Sequence, residues 1–201
     1  MTIAHSGLSL ATEKLAMHFV GRACSGILDL YIGYNERVLA ERSRNLMTFQ
    51  TLFGVLRLVT LPMGWMNSVP IFYDNMTYIL RQEIPRYTLP YIDDVPIRGL
   101  ETRYELPDGS IKTLEQNPGI WKFVFEYLET VNRILQRMKY TGGTFSGPKI
   151  TICSDKITIV DFEYSYEGRQ PTSNIIRKIL YWGAYEDTTD IRAFLETAVQ
   201  C

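Results

Sequence analysis

The chain has 201 residues, 46% of them hydrophobic and 21% charged, which suits one globular domain with a buried core. Many nucleic-acid-binding proteins carry an excess of basic residues, whereas this chain has a formal net charge of −1. This balance argues against tight autonomous binding to nucleic acid. Three widely spaced cysteines and two histidines support neither a disulfide framework nor a zinc site, and no apolar run is long enough to predict a membrane span.

The first half of the chain is predicted to contain a strand, a hairpin and a helix, in that order. The predicted elements are a strand over 24–31, hairpin strands over 47–53 and 55–61, and a helix that starts near residue 67. Asp29 falls near the end of the first strand. Asn67 or Ser68 can cap the helix, because Pro70 then lies in the first turn, where proline is tolerated.

The second half contains the clearest helical pattern. Asn117 is a suitable N-cap and Pro118 a suitable first residue, and apolar side chains recur at helical spacing from Ile120 to Met138. Strands are predicted over 150–153 and 156–162, and two closing helices over 173–182 and 189–199. The middle of the chain therefore has the order strand, helix, strand pair around residue 93, helix and strand, which predicts an α+β, ferredoxin-like fold, in which an antiparallel sheet carries its helices on one face.

Tyr91-Ile92-Asp93-Asp94 is the stretch with the most chemical information. Short apolar runs on both sides predict a strand–turn–strand hairpin with the two acids at its tip. Adjacent carboxylates repel each other, and a divalent cation relieves that repulsion. Taken alone, an Asp-Asp pair is more often two solvated turn residues than a metal site.

Further motifs occur in a fixed order around this pair. They are Asp-Leu-x-x-Gly-Tyr at 29–34, Phe-Gln-Thr-x-Phe-Gly at 49–54, Leu-Pro-x-Gly-Trp-x-Asn-Ser at 61–68, Tyr-x-Asp-Asp at 91–94 and Thr-Phe-Ser-Gly-Pro-Lys at 144–149. From about Phe19 to its end, the chain resembles the reverse transcriptase of retroviruses and long-terminal-repeat retrotransposons, and looks closest to the Ty3/gypsy-like elements of fungi.

The resemblance implies the palm of a right-hand polymerase and a division into three parts. These are a remnant N-terminal segment over 1–18, the palm over 19–168 and a partial helical thumb or connection over 169–201. Little sequence precedes Asp29, so the fingers subdomain is expected to be largely missing. Protease, ribonuclease H and integrase domains are expected in a full-length element. We expect an intracellular protein, in the cytoplasm or within virus-like particles.

The resemblance also implies a metal site made of three carboxylates. Asp29, Asp93 and Asp94 correspond to the catalytic, metal-binding acids, which would hold two Mg²⁺ ions, with Mn²⁺ as a substitute. We expect the carboxylates of Asp29 and Asp93 to converge on a shared cation. Asp94 is predicted to be the weaker ligand, because alternate side chains of an extended segment point apart.

Four further residues match nucleotide-binding positions of the family. Tyr34 stands at the sugar gate, where a ring excludes a 2′ hydroxyl, although a core aromatic is the alternative reading. Gly64 would allow close approach of a nucleotide, and Met63 precedes it. Lys149 matches a lysine near the triphosphate, although an isolated lysine is usually solvated.

Together these features predict an RNA-directed DNA polymerase core of a retrotransposon polyprotein. Its partners would be an RNA or DNA template-primer and deoxynucleoside triphosphates, with no membrane involved. The chain is interpreted as a truncated copy with little activity. The alternative is a palm-fold relic or co-opted binding module without catalysis. The intact acids favour the enzyme, and the missing fingers favour the relic.

Overall fold

A computed structural model of the protein describes residues 12–31, 33–185 and 187–199. Most of the predicted N-terminal segment 1–18 therefore lies outside the described residues. The helices are α1 (Thr12–Phe19), α2 (Glu41–Arg44), α3 (Ser68–Leu80), α4 (Lys122–Tyr140), α5 (Ser173–Leu180) and α6 (Thr188–Val199). The strands are β1 (Ser25–Asp29), β2 (Thr48–Thr51), β3 (Gly54–Arg57), β4 (Asp94–Arg98), β5 (Thr151–Ser154), β6 (Lys156–Ile159), β7 (Phe162–Ser165) and β8 (Arg169–Pro171).

A three-stranded antiparallel sheet forms the centre of the molecule, with strand order β4-β1-β5. Strand β1 is apolar on both faces, because Leu28 and its neighbour Ile27 point to opposite sides of the pleat. Leu28 packs with the core that includes α3 and α4, whereas Ile27 packs against a second cluster. The central strand is therefore covered on both sides.

The core on the first face joins β1 and β4 to the two long helices. Val95 and Ile97 of β4 are fully buried there. Helix α4 is amphipathic and turns one apolar stripe toward the sheet, as the helical spacing predicted. Its buried residues are Phe123, Tyr127, Thr130, Val131, Ile134 and Met138. Burial of each such large side chain contributes about 1.5–3 kcal/mol, so this stripe fixes α4 on the sheet.

The core on the second face joins α1 to the hairpin of β6 and β7. Its members are Leu15, Phe19, Ile157, Ile159, Phe162 and Tyr164. The sequence predicted one strand over 156–162, and the structure confirms a strand over the first four of these residues but interrupts it at a turn. Val160 and Asp161 have φ of 48° and 65°, which makes a tight turn between β6 and β7. Strand β6 lies beside β1, and its residues contribute to the site described below.

Two other predictions need correction. Helix α4 begins at Lys122, not at Pro118, because the Asn117 side chain instead accepts a hydrogen bond from the Gly119 N–H at 3.1 Å within a turn, and Trp121 is still extended. The predicted strand before the acid pair is reduced to isolated bridges, including Thr88 to Ile97. By contrast, the β2–β3 hairpin, the start of α3 and the helices α5 and α6 lie where the sequence predicted them. Of the helices in the described ranges, none has the length and apolar character needed to cross a bilayer.

Candidate carboxylate site

The sheet register places two of the predicted acids side by side. Asp29 at the end of β1 is the direct cross-strand partner of Asp94 at the start of β4. Directly opposite residues of an antiparallel pair share a face, with Cβ atoms about 4.5–5.5 Å apart. Asp94, which the sequence ranked as the weaker ligand, is therefore the residue that lies opposite Asp29.

A two-residue turn holds this register. Reciprocal backbone hydrogen bonds of 2.9 Å join Tyr91 and Asp94, leaving Ile92 and Asp93 at the tip. Ile92 has a φ of 55°, a conformation that glycine usually supplies and that costs a β-branched residue on the order of 1–3 kcal/mol. The carbonyl of Asp93 accepts a hydrogen bond of 3.0 Å from the Leu30 N–H, which attaches the tip to β1.

The three carboxylates act on one another electrostatically. Burial raises the pKa of Asp94, and the negative charges of Asp93 and Asp29 act in the same direction, so the pKa reaches about 6. Lys149 opposes this effect. The site thus holds more negative charge than its surroundings neutralise.

Lys149 is the cation nearest to the pair. Its Nζ lies 3.0 Å from Oδ2 of Asp29, although the side chain is 66% exposed. This contact is the main reason that the pKa of Lys149 is raised, with Asp93 and Asp94 adding to it. The lysine ends a short 3₁₀ turn, Gly147–Lys149, which is anchored by a 2.9 Å hydrogen bond from the Ser146 N–H to the Asp29 carbonyl.

A cleft of about 320 Å³ opens beside these residues. It is lined by Ile27, Asp29, Asp94, Lys149, Thr151, Lys156, Ile157 and Thr158. The sequence motifs did not point to Lys156 or Thr151, because both reach the cleft only after β5 and β6 pack beside β1. No local spacing in the sequence signals that packing.

Tyr34 lies in the core on the helix side of the sheet. Its ring stacks on Phe72 of α3, with 4.6 Å between centroids and 25° between planes. Gly33 permits this contact, because a Cβ there would lie 2.7 Å from the Phe72 ring. Burial raises the pKa of Tyr34, and the charge of Asp93 adds to the effect, so the hydroxyl is within electrostatic range of the turn. The sugar-gate role of Tyr34 stays a prediction.

Met63 and Gly64 lie in the turn between β3 and α3, and both are exposed. Gly64 has a φ of 84°, which explains a glycine at this position. Neither residue lines the cleft that contains Asp29 and Asp94. Their predicted contact with a nucleotide stays a prediction.

The carboxylates of this site could supply only part of the coordination shell of a metal ion. Within the described ranges, no group of three or more His, Cys, Asp or Glu side chains is placed to hold a metal ion unaided. Mg²⁺ is commonly bound by only one or two carboxylates, together with phosphate oxygens and water. The opposed pair of Asp29 and Asp94 fits such a donor set. The convergence of Asp29 and Asp93 on one cation stays a prediction.

Asp94→Asn is expected to stabilise the protein at neutral pH. The pKa of Asp94 is about 6 in the folded protein and about 3.9 in an unfolded chain, so the folded state binds more protons between these values. The free energy of unfolding of the wild type should therefore fall as pH rises from about 4 to 6. Asparagine removes this loss, a gain of roughly 1 kcal/mol at pH 7.5 after allowance for solvent screening.

Urea unfolding at pH 7.5 and pH 4 would measure the gain, which should disappear at the lower pH. Asp155→Asn is the matched control, because Asp155 is exposed. A loss of stability in Asp94→Asn that is equal at both pH values would contradict the prediction.

Comparison with known proteins places this arrangement in context. No protein-family model matches the sequence. A curated relative, the retrovirus-related Pol polyprotein from transposon gypsy of Drosophila melanogaster, is 30% identical over an alignment of 111 residues, and the match covers 50% of this chain and 11% of that polyprotein. The chain is thus similar to a gypsy Pol polyprotein over half its length. The fungal subtype stays a prediction.

The fold itself is seen in solved structures. The foamy viral protease-reverse transcriptase in complex with dsDNA superposes with a TM-score of 0.75 at 17% identity, over 99% of this chain and 37% of that chain. The complex of the same protein with an RNA/DNA hybrid gives a TM-score of 0.68 at 19% identity, over 97% of this chain and 23% of that one. The chain therefore has the fold of part of a reverse transcriptase, with mixed α and β content and antiparallel sheets.

Proposed function

We propose that this chain is the core of an RNA-directed DNA polymerase that transfers nucleotides with the help of two divalent ions. One observation carries the proposal: Asp29 and Asp94 are paired across β1 and β4, with Asp93 at the adjoining turn and Lys149 beside them. The similarity in fold to foamy viral reverse transcriptase supports this reading. So does the sequence similarity to a gypsy Pol polyprotein.

Within this proposal, residues 19–168 form the palm and residues 169–201 form part of a thumb. The β4-β1-β5 sheet with α3 and α4 on one face suits a palm, and the consecutive helices α5 and α6 suit the start of a thumb. The chain spans only 37% or less of the foamy viral chains described above. Template-primer, deoxynucleoside triphosphates and further Pol domains are accordingly proposed partners.

Asp29, Asp93 and Asp94 would together hold the two Mg²⁺ or Mn²⁺ ions. When bound, the ions activate the primer 3′ hydroxyl and stabilise the charge of the transferring phosphoryl group. Lys149 can exchange its ion pair with Asp29 for a phosphate oxygen, because its side chain is mostly exposed. Tyr34 would support the sugar from below through its stack on Phe72.

The charge balance predicts a slow enzyme. Two lysines, Lys149 and Lys156, line the cleft, against a triphosphate that carries several negative charges. Loss of one cationic phosphate clamp costs about 10³-fold or more in related phosphoryl transfers. Nucleic acids are polyanions, and the net charge of −1 offers them little general attraction.

Primer extension tests the proposal. With enzyme in excess over a labelled DNA primer on an RNA template, we expect slow extension that requires Mg²⁺ or Mn²⁺ and is lost in Asp93→Asn. Asp155→Asn removes the same charge at an exposed position outside the cleft lining and should keep the wild-type rate.

The alternative function is a binding module without catalysis. The charge balance favours it, because the described cleft holds few cations to grip a triphosphate. Binding of an RNA/DNA hybrid by the wild type, with no extension in either metal, would support this alternative. Extension that is unchanged in Asp93→Asn would contradict the site assignment.

A further inference from the structure

A second cavity lies at the opposite end of β4 from the carboxylate site. It encloses about 510 Å³, which is within the usual size range of small-molecule sites. Four arginines line it, namely Arg22, Arg86, Arg98 and Arg133. Arg98 ends the strand that Asp94 begins, so about 13 Å of extended backbone separates the two sites.

The inner wall of this cavity has an excess of positive charge. Arg22 and Arg98 share a single carboxylate oxygen of Glu101, at 2.5 Å and 3.1 Å. Arg22 is only 9% exposed, whereas the Glu101 side chain is 74% exposed. Nε of Arg98 is buried and has no hydrogen-bond partner in the described part of the chain. Two guanidinium groups thus form ion pairs with the same solvent-exposed carboxylate.

Neighbouring groups respond to this charge. Burial lowers the pKa of Arg98, and the proximity of Arg22 lowers it further. Burial, Arg98 and Arg22 together lower the pKa of His18 to about 4. Its Nε2 is likewise buried without a partner among the described residues. An anion placed against the two arginines would relieve the repulsion and supply an acceptor to Arg98.

The mouth of the cavity carries a further cation. Arg86 and Arg133 both lie over the ring of Tyr87, at 5.0 Å and 4.7 Å from its centroid. Arg133 is also paired with Glu83 at 3.5 Å. Arg86 is exposed and forms no ion pair within the described ranges.

The acids on the opposite wall do not neutralise the inner arginines. Glu126 is engaged by Lys122 at 3.6 Å and by the Tyr104 hydroxyl at 2.8 Å. Glu129 also lines the cavity, so its acids number three with Glu101 against four arginines. The uncompensated charge therefore lies on the side of Arg22, Arg98 and Arg86.

We propose that this cavity binds a phosphate group, held by Arg22 and Arg98 on the inner wall and by Arg86 at the mouth. A guanidinium fork matches the oxygens of phosphate and can bind two of them at once. Glu101 occupies the position of the anion in the free protein, and its exposure allows it to move aside. The group can belong to a small free phosphate compound or to the backbone of a nucleic-acid strand.

Isothermal titration of the full chain with inorganic phosphate, at constant ionic strength, tests the proposal. We expect saturable binding to the wild type. Glu101→Gln removes the competing carboxylate and should tighten binding roughly tenfold, whereas Arg98→Gln should weaken it by at least about tenfold. Arg86→Gln is a second weakening variant at an exposed position, which is useful if Arg98→Gln disturbs folding. Glu115→Gln removes the same charge outside the cavity and should leave affinity unchanged.

A second titration, with a short single-stranded oligonucleotide, identifies the source of the phosphate. Saturation by inorganic phosphate indicates a small free ligand. Saturation by the oligonucleotide alone, with the same order among the variants, indicates a strand backbone. The proposal fails if neither probe saturates, or if Glu101→Gln and Glu115→Gln bind alike. The varied residues Glu101, Arg98 and Arg86 do not line the carboxylate cleft, so the order among these variants is independent of the proposed polymerase activity.

Discussion

Phe72→Ala is expected to lower the free energy of unfolding by about 3–5 kcal/mol. The Phe72 ring projects from α3, is fully buried and stacks on Tyr34. Such an aromatic contact adds about 0.5–1.5 kcal/mol to the stabilisation that burial provides. Gly33 lies against the same ring, so the backbone has no side chain there to fill the cavity left behind. Urea unfolding followed by far-ultraviolet circular dichroism would measure the loss.

Phe53→Ala is the matched control for this change. Phe53 lies at the tip of the β2–β3 hairpin and is 94% exposed, so the same truncation should change stability by no more than about 0.5 kcal/mol. Equal effects of the two substitutions would show that Phe72 is not part of the core that supports Tyr34.

Asp29→Asn is expected to weaken Mn²⁺ binding by at least about tenfold, because it removes one of two opposed carboxylates. Lys149→Met should have the opposite sign and strengthen binding about threefold. Its ammonium group lies 3.0 Å from Asp29 and competes with any cation for that oxygen. Electron paramagnetic resonance of free Mn²⁺ at pH 7.5 measures both affinities without any need for catalysis.

Controls with the same charge changes are available on the surface. Asp155→Asn and Lys139→Met alter exposed residues that do not line the cleft, so both should retain the wild-type affinity. If Asp29→Asn binds Mn²⁺ as tightly as the wild type does, the metal assignment is wrong. If Lys149→Met weakens binding, the lysine supports the site rather than competing within it.

The sequence alone predicted those elements whose signals are local. Helical spacing of apolar residues predicted the buried stripe of α4, and the β2–β3 hairpin and α5 formed where expected. These signals repeat within a few residues along the chain, so no distant contact is needed to express them. A local hydrogen bond also explains why the start of α4 was predicted wrongly. The Asn117 side chain accepts a hydrogen bond from the Gly119 N–H within a turn, so it does not cap the helix, which begins at Lys122.

The acids were found by motif, but their arrangement depends on sheet register. Spacing along the chain predicted that Asp94 is the weaker ligand, because neighbouring side chains of an extended segment alternate. The β1–β4 register places Asp94 opposite Asp29 and leaves Asp93 on the turn, while the ranking of the ligands stays a prediction. A shift of one residue would move Asp94 to the other face, so only the paired strands decide this point.

The arginine cavity depended on tertiary structure alone. Arg22, Arg98 and Arg133 are far apart in the sequence and carry no motif, and they meet only after β4 and α4 pack together. The strength of an interaction between charges depends on their separation and burial, and both are products of the whole fold. The sequence by itself therefore determined the resemblance to reverse transcriptase, the helices α3 to α6 apart from the start of α4, and the choice of candidate acids. Long-range packing decided which charges became neighbours.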